Sequence, residues 1–214
     1  MRLVTIGDSI TVGTYTAEWD SSPDSIAHPN FSEYLADKLG CDSLINYAIN
    51  GISVSSTSQT LPEYAIAKRY TIMEDADVVL VCAGTNDYGS GVQLGSPDDT
   101  EDISFFGSLD LLFRGLKEKY PKSEIYFVLP IHRSDEDGNI IGRRLAEYRE
   151  AIKIKAEQHG IPTIDGFEIP IDPRIDEHRK KYSKDGVHIG PEGHRIYGEY
   201  VYEKILELRK GEKK

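Results

Sequence analysis

The chain has 214 residues, 39% hydrophobic and 29% charged, which is enough to bury a substantial core and points to one globular domain spanning residues 1–214. Its formal net charge of -11 argues against nucleic acid as a partner, because phosphate backbones need clustered Lys and Arg, and against docking on anionic lipid. No apolar run approaches membrane-spanning length and no charged-then-apolar leader opens the chain, so a cytoplasmic location is expected, with secretion after leader removal also compatible; the two cysteines, Cys41 and Cys82, demand no disulfide.

Residues 3–6 form a short apolar run closed by Gly7 and predict a buried strand. Phe31, Tyr34, Leu35 and Leu39 then recur at helical spacing, with Gly40 as the stop. A second strand is expected over 43–47, followed by a helix opened by Pro62 and carrying Ile66, Tyr70 and Met73 on one face. Residues 78–82 are β-branched and wholly apolar, the strongest strand signal in the chain, with Cys82 as a buried hydrophobe. Leu109, Leu112, Phe113 and Leu116 give the cleanest helical stripe. A fourth strand is expected over 125–129, stopped by Pro130, then a helix marked by Leu145, Tyr148 and Ile152 and ended by Gly160. A fifth strand over 161–164 and a terminal helix lined by Tyr197, Val201, Ile205 and Leu208 complete the series, with a frayed charged tail at 210–214. Strands alternating with helices imply a parallel sheet covered on both faces, a three-layer α/β/α sandwich with about five strands. The irregular stretches 13–29, 88–104 and 166–191 are long enough to be functional or mobile.

In an open parallel sheet, ligands bind outside the carboxyl ends of the strands. Four motifs fall just after expected strands: Asp8-Ser9, Asn50-Gly51, Gly84-Thr85-Asn86-Asp87 and Pro130-Ile131-His132-Arg133. Asp185-Gly-Val-His188 precedes the last helix and can fold back to the same rim. Serine, histidine and aspartate are the side-chain types that turn a weak hydroxyl nucleophile into an acyl-transfer catalyst. Each motif alone has a plainer reading: Ser9 as a turn residue, Gly51 as a turn glycine, Asn86-Asp87 as a helix cap, Asp185 and His188 as a loop ion pair.

Taken in order, the four blocks Gly7-Asp8-Ser9-Ile10, Asn46-Tyr47-Ala48-Ile49-Asn50-Gly51, Gly84-Thr85-Asn86-Asp87 and Asp185-Gly-Val-His188 resemble the SGNH hydrolases, the GDSL esterase and lipase superfamily. Ile10 departs from the more common leucine, an apolar-for-apolar change. The resemblance implies a flavodoxin-like fold with strand order 2-1-3-4-5. It also implies Ser9 as nucleophile, His188 as general base and Asp185 as the group orienting the imidazole. The oxyanion hole would comprise the Ser9 and Gly51 backbone N–H groups and the Asn86 side-chain amide. No cofactor or metal is implied, and no His/Cys/Asp cluster has metal-ligand spacing. The acidic residues Asp98, Asp99, Glu101 and Asp102 lack the spacing of a calcium loop and read as a solvated segment. Neither G-x-S-x-G nor G-x-G-x-x-G is present at the first turn.

Around this set, Tyr15 and Trp19 are candidates for an acyl or sugar platform, and His132 for substrate contact. Asp8 is a further possible contact that more naturally shapes its turn. His28, His159, His178 and His194 are expected to be structural or surface groups, with His194 about two turns into the last helix. The loops 13–29 and 88–104 are polar with scattered aromatics, which favours a small-molecule or glycan ester with a short acyl group on a polar alcohol. A lysophospholipase or thioesterase, and a non-catalytic glycan-binding module on the same fold, are the alternatives. The sequence does not set the oligomeric state.

Overall fold

In the computed structural model, which describes residues 1–19 and 22–211, the apolar runs become the strands of one sheet. In chain order the elements are β1 (Arg2–Gly7), α1 (Ser9–Val12), α2 (Phe31–Leu39), β2 (Ser43–Asn46), α3 (Ile66–Arg69), β3 (Val78–Cys82) and α4 (Thr85–Gly89). They continue with α5 (Phe105–Lys119), β4 (Glu124–Val128), α6 (Leu145–Gln158), β5 (Thr163–Ile164), α7 (Asp176–Tyr182) and α8 (Pro191–Gly211). The strands pair in parallel in the order β2-β1-β3-β4-β5. This is the flavodoxin-like 2-1-3-4-5 arrangement, with the topological switch point, where the strand order reverses, between β1 and β3.

The all-apolar strands are explained by burial on both faces. Along β3, Val79 and Val81 enter the core shared with α5 and α6, while Val78, Leu80 and Cys82 enter the core shared with α2 and α8. The α2–α8 contact is close because Gly198 carries no side chain: a Cβ there would lie 2.8 Å from the Phe31 carbonyl oxygen. Phe31 and Tyr197 stack beside it with ring centroids 4.2 Å apart. Gly40 ends α2 in the left-handed region at φ 66, where glycine has no steric penalty. Both cysteines are free, Cys82 buried in the sheet. No helix among the described residues is long and apolar enough to cross a membrane.

Three expectations need correction. The single helix after Pro62 is broken into a 3₁₀ turn at Pro62–Tyr64, the four-residue α3 and a second 3₁₀ turn at Tyr70–Ile72. Ala65 is extended at its junction (ψ 136), and the N–H groups of Ile66 and Ala67 donate to the carbonyls of Ser53 and Val54 at 3.0 and 3.1 Å. Tertiary hydrogen bonds thus outcompete the local helix. The fifth strand is reduced to two residues because Pro162 has no N–H to give to a ladder. Finally, the irregular stretches contain structure: 166–191 holds α7, and 13–29 holds a ribbon pairing Thr14–Tyr15 with Ser25–Ile26. Lys210 and Gly211 remain in α8; the rest of the tail expected to fray, 212–214, lies outside the described residues.

Candidate active site

Gly7 ends β1 where a Cβ would fall 2.3 Å from the Cys82 carbonyl oxygen, so the chain can turn sharply into α1. Asp8 caps that helix, its carboxylate accepting from the Ile10 N–H at 2.9 Å, and Ser9 is the first helical residue. The Ser9 hydroxyl lies 2.7 Å from Nε2 of His188. On the far side of the ring, Nδ1 lies 2.8 Å from Oδ2 of Asp185. A carboxylate can only accept, so Nδ1 carries the proton and Nε2 is left to accept from the serine.

The D-x-x-H spacing explains this rigidity. Oδ1 of Asp185 accepts from the N–H groups of Val187 and His188 at 2.9 and 2.8 Å, so the carboxylate caps its own turn while holding the ring. Thr16 donates its hydroxyl to Oδ2 at 2.7 Å. Burial pushes the Asp185 carboxyl up, but these four hydrogen bonds outweigh it and hold the group well below the usual carboxylate range. Gly186 sits at φ 83 in the middle of the turn.

Gly51 lies on the loop after β2, at φ 76. That loop is tied to the start of the chain: Ile49 N–H donates to the Gly7 carbonyl at 3.0 Å, Asn46 Nδ2 to the Thr11 carbonyl at 2.8 Å, and Thr14 Oγ1 to Asn50 Oδ1 at 2.8 Å. From the other side, Asn86 Nδ2 donates to the Ile52 carbonyl at 2.9 Å, which leaves its second amide hydrogen for a ligand. Asp87, fully buried, accepts from the N–H groups of Val54 and Ser55 at 2.8 and 2.9 Å. Burial pushes its carboxyl up to about 7, and that of Asp8 to about 6. The ends of β1, β2 and β3 therefore bring Ser9, Gly51 and Asn86 to one rim, and the turn before α8 brings Asp185 and His188. A hydroxyl, an imidazole and a carboxylate so aligned can pass a proton from oxygen to ring and stabilise the resulting cation.

The remaining candidates occupy different settings. Asp8 is buried in its capping role. Tyr15 is half-buried in the ribbon, beside Gly190. Trp19 is 45% exposed, with the Arg179 guanidinium 4.9 Å from its ring centroid. His132 stacks on Phe167 with centroids 3.7 Å apart and turns Nδ1 to Glu136 at 3.0 Å. His194 lies in the first turn of α8, not two turns in: it is fully buried, accepts from the Phe31 N–H at 3.4 Å, and is pushed down to about 3 by burial. The acidic cluster is not merely solvated: Asp102 accepts from Ser56 and Ser108 and pairs with Lys68, and Asp99 accepts from Ser104. No group of three metal-ligating side chains occurs among the described residues. Thr16 escaped sequence reasoning because its partner is 169 positions away and no local pattern announces it; the Asp87 side chain, for which a cap was the plainer reading, instead holds the N–H groups of Val54 and Ser55.

A three-layer α/β/α sandwich with this constellation on its rim is the build of an acyl hydrolase. The chain belongs to the GDSL-like lipase/acylhydrolase family, whose model matches residues 5–196. Among solved structures it is similar to a protein from Lactobacillus plantarum, 27% identical over 97% of this chain and 96% of that one, with a TM-score of 0.82. It shares its fold with an aryl esterase from M. smegmatis (20% identity, 97% and 99% covered, TM-score 0.68). It also shares it with a carbohydrate acetylesterase from Sinorhizobium meliloti (20% identity, 97% and 99% covered, TM-score 0.66). No curated protein matches the chain closely enough to count as a relative.

Proposed function

We propose that the protein is a serine esterase that cleaves a carboxylic ester through an acyl-enzyme, with short acyl groups, acetyl above all, on a carbohydrate or other polar alcohol as its substrates. The observation that carries this reading is the continuous chain from Ser9 through His188 to Asp185, at 2.7 and 2.8 Å. Ser9 attacks the ester carbonyl as His188 takes its proton. The tetrahedral oxyanion is met by the N–H groups of Ser9 and Gly51 and the free hydrogen of the Asn86 amide. His188 then returns its proton to the leaving alcohol, and water repeats the sequence on the acyl-enzyme. Asp185 holds the tautomer and stabilises the imidazolium.

The short-acyl preference draws support from the loops 13–29 and 88–104, which are polar with scattered aromatics and carry no long apolar run suited to a fatty chain. In the first of them Trp19 offers a partly exposed ring for a sugar. The test is hydrolysis of p-nitrophenyl esters of increasing chain length and of acetylated sugars by the parent and by Ser9→Ala. We expect turnover of acetate by the parent alone. Equal background rates in both would leave only a binding module, and much faster cleavage of long-chain esters would overturn the short-acyl assignment.

A further inference from the structure

The loop 131–136 after β4 carries a motif that the site so far leaves unused, and it touches both halves of that site. Arg133 reaches α4, where Nη1 donates to the carbonyl and to the hydroxyl of Thr85 at 3.0 and 3.1 Å, next to Asn86. Its guanidinium lies 5.1 Å from the centroid of the Tyr88 ring on the same helix, and Tyr88 returns a hydrogen bond to the Asp135 carbonyl. One residue along, the Ser134 N–H donates to the Gly186 carbonyl at 2.8 Å, inside the turn that joins Asp185 to His188. The fit there is tight, since a Cβ on Gly186 would lie 2.0 Å from the Ser134 hydroxyl.

The loop is itself braced. The buried Glu136 carboxylate accepts from the Arg133 N–H at 3.1 Å and pairs with Arg174 at 2.8 Å and with His132. Asp135 holds the guanidinium from the outside through its Nε and Nη2. A segment anchored in this way transmits position and does not yield.

We propose that loop 131–136 is a strut that sets the spacing between the Asn86 amide and the His188 ring, with Arg133 as its positioning residue through the bonds to Thr85. The catalytic consequence rests on the esterase reading above; the mechanical claim does not. Arginine suits the role because its planar fork can serve the Thr85 oxygens, the Asp135 carboxylate and the Tyr88 face together, which a lysine cannot.

The experiment compares the parent with Arg133→Lys and Arg133→Met by hydrogen exchange and by steady-state kinetics on p-nitrophenyl acetate. Amides of 84–89 and of 184–189 are expected to lose protection together, while β1 and β3 keep theirs. The turnover number is expected to fall by about 10²-fold with KM barely changed, as for a misplacement on the scale of 1 Å. Added to Asn86→Ala, the Arg133→Lys change should cost little more, because the spacing it protects has lost its purpose. Loss of protection in one segment alone, or fully additive kinetic losses, overturns the strut. Absence of ester hydrolysis by the parent would sink the esterase reading by itself, and the exchange measurement would still decide whether the strut exists.

Discussion

Thr16 illustrates how much one hydroxyl can carry. It donates to the same Asp185 oxygen that receives the His188 ring, and hydrogen bonds to charged groups contribute about 1.5–3 kcal/mol. Thr16→Val keeps the shape of the side chain and removes the donor, so the turnover number is expected to fall roughly ten- to hundredfold. Thr16→Ser should restore most of it; if Val and Ser variants behave alike, the hydroxyl is not the active element. Asn86→Ala is expected to cost on the order of 10²–10³ in turnover, the usual cost of one oxyanion donor. Because the Asn86 amide also holds the Ile52 carbonyl, the same variant should lower the melting temperature slightly. An unchanged turnover number would remove Asn86 from the site.

Elements were legible in the sequence in proportion to how far their own residues decide them. β3 is buried at every position and reads as strand from composition alone. The 2-1-3-4-5 order came from the family resemblance and is observed. The helix expected after Pro62 failed because carbonyls of Ser53 and Val54, set by tertiary structure, capture its first amides. Of the site, the residues in recurring blocks were visible, and the structure brings Ser9, His188 and Asp185 into hydrogen-bonding range. Their supports were less so: Thr16 stands in no motif, and Asp87 and residues 131–133, though in motifs at strand ends, carry no local sign of the distant partners they hold. Glycines in turns offer a test at this scale. Gly186→Ala meets both a positive φ of 83 and the Ser134 hydroxyl, and the backbone alone costs about 1–2 kcal/mol. A fall of roughly 2–8 °C in melting temperature is expected for a chain of this size. Gly138→Ala, with open space around the added carbon, should be neutral by the same measurement; equal losses at both positions would refute the steric argument.

Over the whole molecule, the buried acids govern how stability responds to pH. Asp8 and Asp87 have folded-state values raised to about 6 and about 7, against about 3.9 when unfolded. Between these limits the folded chain holds more protons, so their contribution is present in acid and is lost as pH rises through 6 and 7. His194 works the other way: kept neutral down to about 3, it withdraws stability as pH falls below about 6.5, where the unfolded ring takes up a proton. Asp172, lowered to about 2 by its hydrogen bonds with Arg174, and Asp185 add stability that disappears only in stronger acid. With two acids opposed by one histidine, the melting temperature is expected to decline between about pH 5 and 7, and Asp87→Asn should flatten that decline. A parent curve that rises over the same interval would contradict the assignment.

The two-residue β5 has a consequence for the crowded protein. A sheet edge is a template on which another chain can add a strand, and the propensity to do so grows with the number of unpaired backbone groups in register. Here the β4–β5 ladder is only two residues long, Phe127 with Thr163 and Val128 with Ile164, and Pro162 precedes it. An intruding strand would find almost nothing to continue along, so this margin resists fibril growth by brevity where other proteins rely on charge or a covering helix.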